Sequence, residues 1–213
     1  MALFISLEGC EGCGKSTQAK RLTAGLQRHG YRVTRTYEPG GTPLGEQLRR
    51  YLKKSRDAAI SAEAELLLFA AARSQLTRNV ILPALKQGHV VICDRYADST
   101  VAYQGYGRGL PLDTIATVNH LATGGLQPDL VLLLDMDPSR ALQRKKQPRD
   151  RFEHEVVEFH ERVRYGYLEL ARSDPSRWTV IDASGSFART TQYIWQTVSP
   201  LLDRYSLLQQ SPE

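Results

Sequence analysis

Short apolar runs alternate with amphipathic stretches along nearly the whole chain. The runs have the length and residue types of buried strands and lie at residues 2–7, 31–37, 89–93, 130–134 and 179–181. Between them, helical periodicity predicts helices at 15–29, 44–54, 61–88, 152–172 and 190–202, with Ser61 as a cap and Pro83 as a kink. This alternation, without a serine- or glycine-rich linker, is typical of a parallel sheet wrapped by helices. We therefore predict one α/β domain over residues 1–213, with a five-stranded parallel sheet.

The segment between the first strand and the first helix carries a phosphate-binding motif. It reads Gly9-Cys10-Glu11-Gly12-Cys13-Gly14-Lys15-Ser16 and matches G-x-x-x-x-G-K-[ST] in its expected setting. The glycines let backbone N–H groups converge on phosphate oxygens at the positive end of a helix. Lys15 adds a point charge, and the Ser16 hydroxyl can hold magnesium. These features predict the P-loop NTPase fold, with an ATP site from Gly9 through Thr17.

The same loop contains a C-x-x-C pattern, Cys10 to Cys13, which is also typical of thioredoxin-like redox sites. A dithiol site does not need the glycines, Lys15 and Ser16 together, whereas a phosphate loop leaves its variable positions open to cysteine. A zinc site is disfavoured because the only other cysteine is Cys93. One hypothesis stays open: Cys13 is reactive, and its oxidation blocks nucleotide binding.

Composition narrows the class of protein. Three cysteines in 213 residues cannot form a disulfide framework, so we expect a cytoplasmic location. The first apolar run is too short for a signal peptide, and no apolar stretch of membrane-spanning length follows, so we expect no membrane partner. The net charge of +5 favours an anionic partner, either nucleic acid or small phosphates, although a solvated basic surface also fits.

Acidic residues follow two predicted strands, and they compete for the role of magnesium ligand. Asp94 is followed by Arg95, so one strand end offers a carboxylate for magnesium or an oriented water and a guanidinium for phosphate. Asp135 and Asp137 precede Pro138 and are interpreted as helix caps. We predict that Ser16 and Asp94 hold the metal.

Arginines provide a second indication of phosphate chemistry. Arg73 lies in an apolar helix, where a guanidinium is costly unless it meets an anion or a carboxylate. A structural ion pair and a second phosphate-bearing substrate both fit, and Arg95 favours the substrate. Residues 144–151 form a basic segment between two helices, which is either a solvated face or a lid over the phosphates. We predict a lid at approximately residues 144–152.

Five segments carry a resemblance that spans nearly the whole chain. They are residues 4–9 leading into the phosphate loop, 38–45, 67–73, 94–105 and 150–153. The fourth, with its Asp-Arg-Tyr, Ser-Thr and Tyr-Gln-Gly elements, is the most specific. In these motifs the chain resembles the thymidylate kinase family, whose members make dTDP from dTMP and ATP. The resemblance implies a nucleoside-monophosphate-kinase-like fold with a short lid, and typically a homodimer.

The resemblance also implies roles at the base end of a dTMP site. Phe69 would stack on the thymine ring, and Arg73 with Ser99 or Thr100 would satisfy the pyrimidine edge. The full acceptor set implied is Glu11, Glu38, Pro39, Arg49, Phe69, Arg73, Arg95, Ser99, Thr100, Tyr103 and Gln104.

At the other end, Arg95 and Arg49 would bind the dTMP phosphate. Tyr103 and Gln104 would lie near the sugar and base, with Tyr103 crowding the space of a ribose 2′-hydroxyl. Glu11 would meet the 3′-hydroxyl.

The residues of the loop and of the lid together indicate which segment supplies the cation that stabilises the transition state. The family has one arrangement with an arginine in the phosphate loop and another with basic lid residues; here the loop position is Gly12 and the lid is basic. The chain therefore resembles the bacterial kind. We predict that Arg149 or Arg151 acts in preference to the lid lysines, because a planar fork suits a spread phosphoryl charge. The predicted catalytic set is Lys15, Asp94, Arg95, Arg149 and Arg151.

Three alternatives remain open. A kinase for another monophosphate or a nucleoside would share the fold. A GTP-dependent switch would need an Asn-Lys-x-Asp motif, and the chain contains no Asn-Lys pair. A nucleic-acid-binding ATPase fits the charge, but the basic residues are scattered around the phosphate-handling loops, so we expect dTMP and ATP as partners and no nucleic acid.

Overall fold

A computed structural model describes residues 2–54, 60–144 and 151–210, with Lys54 and residues 203–210 described by their backbone alone. Five strands form one parallel sheet in the order β2-β3-β1-β4-β5. The strands are β1 Leu3–Glu8, β2 Val33–Tyr37, β3 Val90–Asp94, β4 Leu130–Asp135 and β5 Trp178–Asp182. The five-stranded parallel sheet predicted from the apolar runs is confirmed.

Helices cover both faces of the sheet. They are α1 Lys15–Arg28, α2 Pro43–Lys54, α3 Ala62–Leu76, α4 Leu82–Lys86, α5 Ala97–Thr100, α6 Leu112–Thr123, α7 Pro138–Gln143, α8 Val157–Ser173 and α9 Phe187–Gln210. Two π-helical segments, Thr77–Ile81 and Val101–Gly107, and a 3₁₀ turn, Phe152–His154, complete the described elements.

Strand β1 lies at the centre and is buried along its whole length, Glu8 included. Leu3, Ile5 and Leu7 belong to a core cluster that also includes residues of α1 and α9. Phe4 belongs to a separate cluster that includes residues of the Thr77–Ile81 segment. Alternate side chains of a strand point to opposite faces, so an apolar run without polar interruptions is what a sheet covered on both sides requires.

The strand register brings the chemically important loops to one edge. Leu7 is paired with Asp94, and Glu8 with Leu133, so β1, β3 and β4 end at nearly the same level. In open parallel sheets, ligands bind beyond the carboxyl ends of the strands, where the order of the strands reverses. Here that point lies beyond β1, the strand that leads into the loop from Gly9 to Ser16.

The helix predictions are correct in position but not in continuity. Ser61 caps α3 as predicted, by accepting a hydrogen bond from Ala64 N (3.2 Å). The predicted helix 61–88 changes to π-helical geometry at Thr77–Ile81, just before Pro83. Such irregular turns are a recognised cause of bends in long helices.

The predicted helix 152–172 is wrong in its first turn. The 3₁₀ turn Phe152–His154 ends at Glu155, which is extended, and α8 begins at Val157. Glu155 forms an ion pair with Arg108 (2.6 Å), a tertiary contact that helical periodicity does not reveal. Helix α6 was not predicted, and α9 is longer than predicted at both ends. Within the described residues, no helix is both long and apolar enough to span a membrane.

Candidate active site

Three glycines of the phosphate loop have positive φ angles: Gly9 (135°), Gly12 (80°) and Gly14 (99°). A Cβ atom at Gly12 would lie 2.1 Å from the backbone oxygen of Ala141, at the end of α7. A Cβ at Gly9 would lie 2.5 Å from Leu134 O. Any side chain at these positions would be both strained and in collision with backbone, so glycine is required there.

Lys15 is the first residue of α1, and its ammonium group is held by the loop itself. Its Nζ donates to Gly9 O (3.0 Å) and Cys10 O (2.7 Å), and it lies 3.6 Å from Cys13 Sγ. The side chain is buried beneath the loop. A cation is therefore placed at the N-terminus of a helix, where its charge and the backbone N–H groups favour the same anion.

Ser16 and Asp94 are brought into contact as predicted for a metal site. The Ser16 hydroxyl donates to Asp94 Oδ2, joining the start of α1 to the end of β3. Asp135 instead accepts two hydrogen bonds from Arg164 (2.7 and 2.8 Å), and Asp137 caps α7 by accepting from Arg140 N (3.2 Å). Among the described residues, Asp94 is the one of these three acidic side chains that is hydrogen-bonded to Ser16.

The Ser16–Asp94 pair fits a hydroxyl and carboxylate oxygen donor set for Mg²⁺, which prefers oxygen ligands and keeps several waters and phosphate oxygens as the others. Among the described residues, no group of three or more histidine, cysteine, aspartate or glutamate side chains is arranged to enclose a metal.

Arg95 follows β3 and has a φ of 74°, unusual for a residue that is not glycine. Both neighbouring peptide groups are tied to β1, because Arg95 N donates to Leu7 O (3.0 Å) and Tyr96 N donates to Glu8 Oε1 (2.7 Å). A backbone held in a sparsely populated conformation is a common property of functional sites. The strain aims the guanidinium between the phosphate loop and the π-helical segment that follows α5.

The Arg95 guanidinium is surrounded by polar partners. It donates to Glu11 Oε1 (2.6 Å) and to the hydroxyls of Tyr103 (2.9 Å), Tyr167 (3.0 Å) and Ser99 (3.2 Å). These contacts place Arg95, Glu11, Ser99 and Tyr103 of the predicted acceptor set in one network.

Glu8 lies beneath this network and is completely buried. Ser99 Oγ donates to its Oε2 (2.5 Å), and Tyr167 OH donates to the same atom (3.0 Å). Burial, together with the neighbouring Asp98, raises the pKa of Glu8 to about 7, although Arg95 acts in the opposite direction.

A pocket opens next to the network, with about 500 Å³ of space that protein atoms do not fill, open solvent at its mouth included. It is lined by ten of the eleven residues predicted for the acceptor, and by two others. The lining residues are Glu11, Glu38, Pro39, Lys53, Phe69, Arg73, Arg95, Ser99, Thr100, Tyr103, Gln104 and Phe152.

Arg73 is 1% exposed and forms an ion pair with Glu38 (2.8 Å). Its Nη1 donates to Asn119 Oδ1 (2.7 Å), and its Nη2 also donates to Thr100 Oγ1 (2.8 Å). Burial raises the pKa of Glu38 to about 7, with the Arg73 charge opposing the rise. The two interpretations of Arg73 are therefore compatible: it is part of a buried ion pair and also lines the pocket.

The contacts also separate Ser99 from Thr100, which the resemblance had left as alternatives. Thr100 is bonded to Arg73, whereas Ser99 is bonded to Glu8 and Arg95. Thr100 therefore lies with the residues predicted for the base, and Ser99 with the predicted phosphate ligand.

A broad basic cleft adjoins the pocket at Glu11, Glu38, Lys53 and Arg95, which line both. Its walls combine the phosphate loop with five further cations, Lys15, Lys20, Arg35, Arg49 and Arg144, and also include Asp94 and Phe187. Arg49 was predicted for the acceptor; it lines the cleft and donates to Pro39 O (2.8 Å).

Only part of the predicted lid lies within the described residues. Arg149 lies outside the described residues. Arg151 is described, and its Nη2 donates to Glu65 Oε2, beside the pocket. Arg151 is absent from the residues that line the cleft. In this conformation its guanidinium faces the acceptor side.

Several lining residues were not predicted for binding, among them Phe152, Lys53, Arg144 and Phe187. Phe152 lies at the pocket, with its ring 5.8 Å from Phe69, and Lys53 lines both spaces. Arg144 donates to Ser184 O and Gly185 O (3.0 and 3.2 Å), and its guanidinium lies over the Phe187 ring (5.6 Å). Phe152 lies within the recognised segment 150–153 but was given no role in binding, and Arg144 was counted only as part of the predicted lid.

The three cysteines are free and buried. Burial raises the pKa of the Cys10 thiol to about 12, with Cys13 as the next cause. Such a thiol is the opposite of the activated thiol that a C-x-x-C redox site uses.

A 2-3-1-4-5 parallel sheet with a phosphate loop, a basic cleft and an adjoining pocket defines a P-loop kinase of the nucleoside-monophosphate type. The family model described as thymidylate kinase matches residues 7–194. The chain belongs to the thymidylate kinase family, and the resemblance noted in its sequence is confirmed.

Three comparisons illustrate the match. A thymidylate kinase of Dehalococcoides mccartyi (strain 195) is 55% identical over 203 residues, covering 95% of this chain and 98% of that protein. One from Syntrophotalea carbinolica is 48% identical, with the same coverage. The crystal structure of thymidylate kinase from Ehrlichia chaffeensis has a TM-score of 0.76 and 34% identity, and covers 92% of this chain and 98% of that one.

Proposed function

We propose that this protein transfers the γ-phosphoryl group of ATP to dTMP and so makes dTDP for dTTP synthesis. One observation carries the proposal. Ten of the eleven residues predicted for dTMP, drawn from four separate segments, line one pocket that opens into the cleft of the phosphate loop. Both the printed names of the relatives and the family match support the same substrate.

At the base end, Phe69 and Phe152 form apolar walls with rings 5.8 Å apart, and we place the pyrimidine against Phe69. Arg73, Thr100 and Gln104 supply polar contacts to its edge. Tyr103 lies between this end and Arg95, where the deoxyribose belongs. Its hydroxyl is bonded to Arg95, which fixes the ring in the space that a 2′-hydroxyl would need.

At the phosphate end, Arg95 lines both the pocket and the cleft, so we assign it to the dTMP phosphate. Arg49 faces the same space from α2. Glu11 is bonded to Arg95, and we assign it to the 3′-hydroxyl, as the resemblance implied.

The donor belongs in the cleft. Backbone N–H groups of Gly9 through Thr17 would bind the phosphates, and Lys15 Nζ would leave the loop carbonyls to reach the β- and γ-phosphates. Arg144 and Phe187 lie beside the loop at the end away from Arg95. We propose that they flank the adenine, since a guanidinium and an aromatic ring both stack on bases.

Ser16 and Asp94 would hold magnesium, directly or through water. The ion would neutralise charge on the donor phosphates when bound. The chain's own contribution is positioning and charge: Lys15 and Arg95 hold the two phosphate groups in line, and a lid arginine, Arg149 or Arg151, adds a further positive charge. The acceptor phosphate needs no general base. We keep residues 144–152 as the lid of a single domain, 1–213.

We also propose a cytoplasmic homodimer that binds no nucleic acid. The free thiols support a reducing compartment. Leu67 on α3 and Leu121 on α6 are 59% and 79% exposed on helices that pack against each other, which supports a second copy at this face. Light scattering with Leu121→Lys tests the dimer: the wild type is expected at twice the chain mass, and a wild-type monomer would contradict it.

The deciding experiment is a coupled assay of ADP release with a panel of acceptors. We expect release with dTMP, confirmed by chromatographic detection of dTDP, and much less with dCMP, dGMP, dAMP or thymidine. Preference for another monophosphate or a nucleoside would support the related kinase alternative. Stimulation of ATP hydrolysis by DNA, without stimulation by dTMP, would support the nucleic-acid-dependent ATPase instead.

A further inference from the structure

Helix α3 carries a second polar residue, besides Arg73, on the face that forms the pocket. Glu65, Phe69 and Arg73 are spaced by four residues and so lie along one side of the helix. Glu65 is 1% exposed and does not line the pocket itself. A buried carboxylate this close to a binding pocket needs partners.

Those partners come from two directions. Gln104 Nε2 donates to Glu65 Oε1 (2.6 Å), from the pocket side. Arg108 donates through Nε to Oε1 (3.3 Å) and through Nη2 to Oε2 (3.2 Å), and Arg151 Nη2 also donates to Oε2. One carboxylate therefore accepts bonds from an amide and from two guanidinium groups.

The carboxylate decides which way the Gln104 amide points. A carboxylate only accepts hydrogen bonds, so the amide must turn its NH₂ toward Glu65. Among the described residues, none donates a hydrogen bond to the carbonyl oxygen of Gln104, and Gln104 lines the pocket together with Phe69 and Arg73. The end of the amide left for a ligand is therefore an acceptor.

We propose that Glu65 is a positioning residue that sets the base specificity of the pocket by fixing the Gln104 amide with its carbonyl oxygen toward the ligand. An acceptor there selects pyrimidines with a ring N–H, such as thymine and uracil. The ring nitrogen of cytosine at the same position is itself an acceptor, and two acceptors face to face repel. The inference rests on the proposed function, because it assumes a pyrimidine in this pocket.

The Glu65→Gln variant should reverse the orientation. Its single remaining oxygen is needed by the guanidinium donors on the Oε2 side, so its NH₂ faces Gln104. Gln104 then turns its own oxygen toward residue 65 and presents NH₂ to the base. We expect the ratio of kcat/KM for dTMP to that for dCMP to fall by about tenfold or more. The change should appear mainly in the KM for dTMP, with kcat altered by less than about twofold.

Arg108→Met provides the matched control, because it removes one charge from the same cluster but leaves the Glu65–Gln104 bond. It should reduce the unfolding temperature and keep the wild-type selectivity. The double variant Glu65→Gln, Arg108→Met restores the charge balance of the cluster. It therefore replaces Glu65→Gln in the selectivity measurement if the single variant does not fold. It should show the same loss of selectivity.

A double-mutant cycle with Gln104→Met tests whether Glu65 acts through Gln104. Adding Glu65→Gln to Gln104→Met should leave the dTMP to dCMP ratio unchanged within about twofold. A wild-type ratio both in Glu65→Gln and in the double variant Glu65→Gln, Arg108→Met would overturn the inference, and so would an equal loss of selectivity when Glu65→Gln is added to Gln104→Met.

Calorimetric titration of dTMP and dCMP without ATP runs in parallel with the kinetics. The inference is supported if the wild type binds dTMP more tightly than dCMP and Glu65→Gln loses this preference. This holds even if no phosphoryl transfer is seen, and in that case only the proposed function fails. A wild type that binds both equally overturns the inference, whatever its activity.

Discussion

The pocket and the cleft share Arg95, but they hold their charges differently. In the pocket, charged groups are paired with other side chains: Arg73 with Glu38, and Arg95 with Glu11. In the cleft, Lys15 is bonded to backbone carbonyls of its own loop, and Arg144 to carbonyls of residues 184 and 185.

The difference indicates which of the two sites is preorganised before a ligand binds. Paired side chains hold each other in position, so the pocket is preorganised for one shape of acceptor. Cations on backbone carbonyls can exchange those weaker partners for phosphate oxygens, so the cleft is organised by the charge of its ligand. Substitutions in the cleft should therefore change the rate of transfer, while substitutions in the pocket should change affinity and stability.

The largest effect is expected from the lid. Arg149→Ala together with Arg151→Ala should reduce kcat by about 10³-fold or more, since a transition-state arginine contributes on that scale. The measurement is the coupled assay at saturating dTMP and ATP. Lys145→Ala with Lys146→Ala removes the same charge and should cost far less. Full activity in the double arginine variant would refute the lid assignment.

Next in size is Lys15→Met. Loss of one preorganised cation should lower kcat by about 10² to 10³-fold, whereas the Kd for dTMP should stay within about twofold. Lys20→Met, which removes a neighbouring charge of the cleft, should leave both nearly unchanged. An equal fall for the two variants would mean that net charge, not position, matters in the cleft.

Removing an ion pair of the pocket should first lower the free energy of unfolding. Arg73→Met leaves Glu38 buried without its partner, which should lower the free energy of unfolding by about 3 kcal/mol. Adding Glu38→Gln should recover much of that loss. The free energies of unfolding of the two variants are measured by urea denaturation. Equal values for the single and the double variant would show that the Arg73–Glu38 ion pair does not stabilise this wall of the pocket.

The smallest effect is a dependence on pH that belongs to the pocket side. The folded-state pKa of Glu8 is about 7, above its ordinary 4.5, so the folded protein retains a proton that the unfolded chain has released. Stability from this group is present at low pH and declines as the pH rises toward 7, by about 1 kcal/mol between about pH 6 and pH 7. Glu8→Gln should flatten the unfolding profile by that amount, and an unchanged slope would be evidence against a raised pKa.

The sequence predicts best what is local. A few neighbouring residues are enough to predict the phosphate loop, the strand that enters it and the acidic residue at the end of β3. The pairing of parallel strands then brings these elements together at one edge of the sheet. The contact of Ser16 with Asp94 follows from that topology.

Other parts of the site depend on packing that periodicity cannot show. Phe152 reaches the pocket because the chain breaks at Glu155, whose partner Arg108 lies 47 residues earlier. Phe187 reaches the cleft by adjoining Gly14, where an added Cβ would lie 2.8 Å from its ring. Glu65 could have been found from its spacing of four with Phe69, but its partners could not.

The close approach of Gly12 to Ala141 has a consequence for how such enzymes can diverge. In the arrangement that we propose, the transition-state cation lies in the lid. Moving it to residue 12 would take more than one substitution, because any side chain there meets the backbone of α7, not a flexible neighbour. Helix α7 would have to move first, and α7 ends just before the proposed lid. Glycine at residue 12 is therefore coupled to the position of this helix.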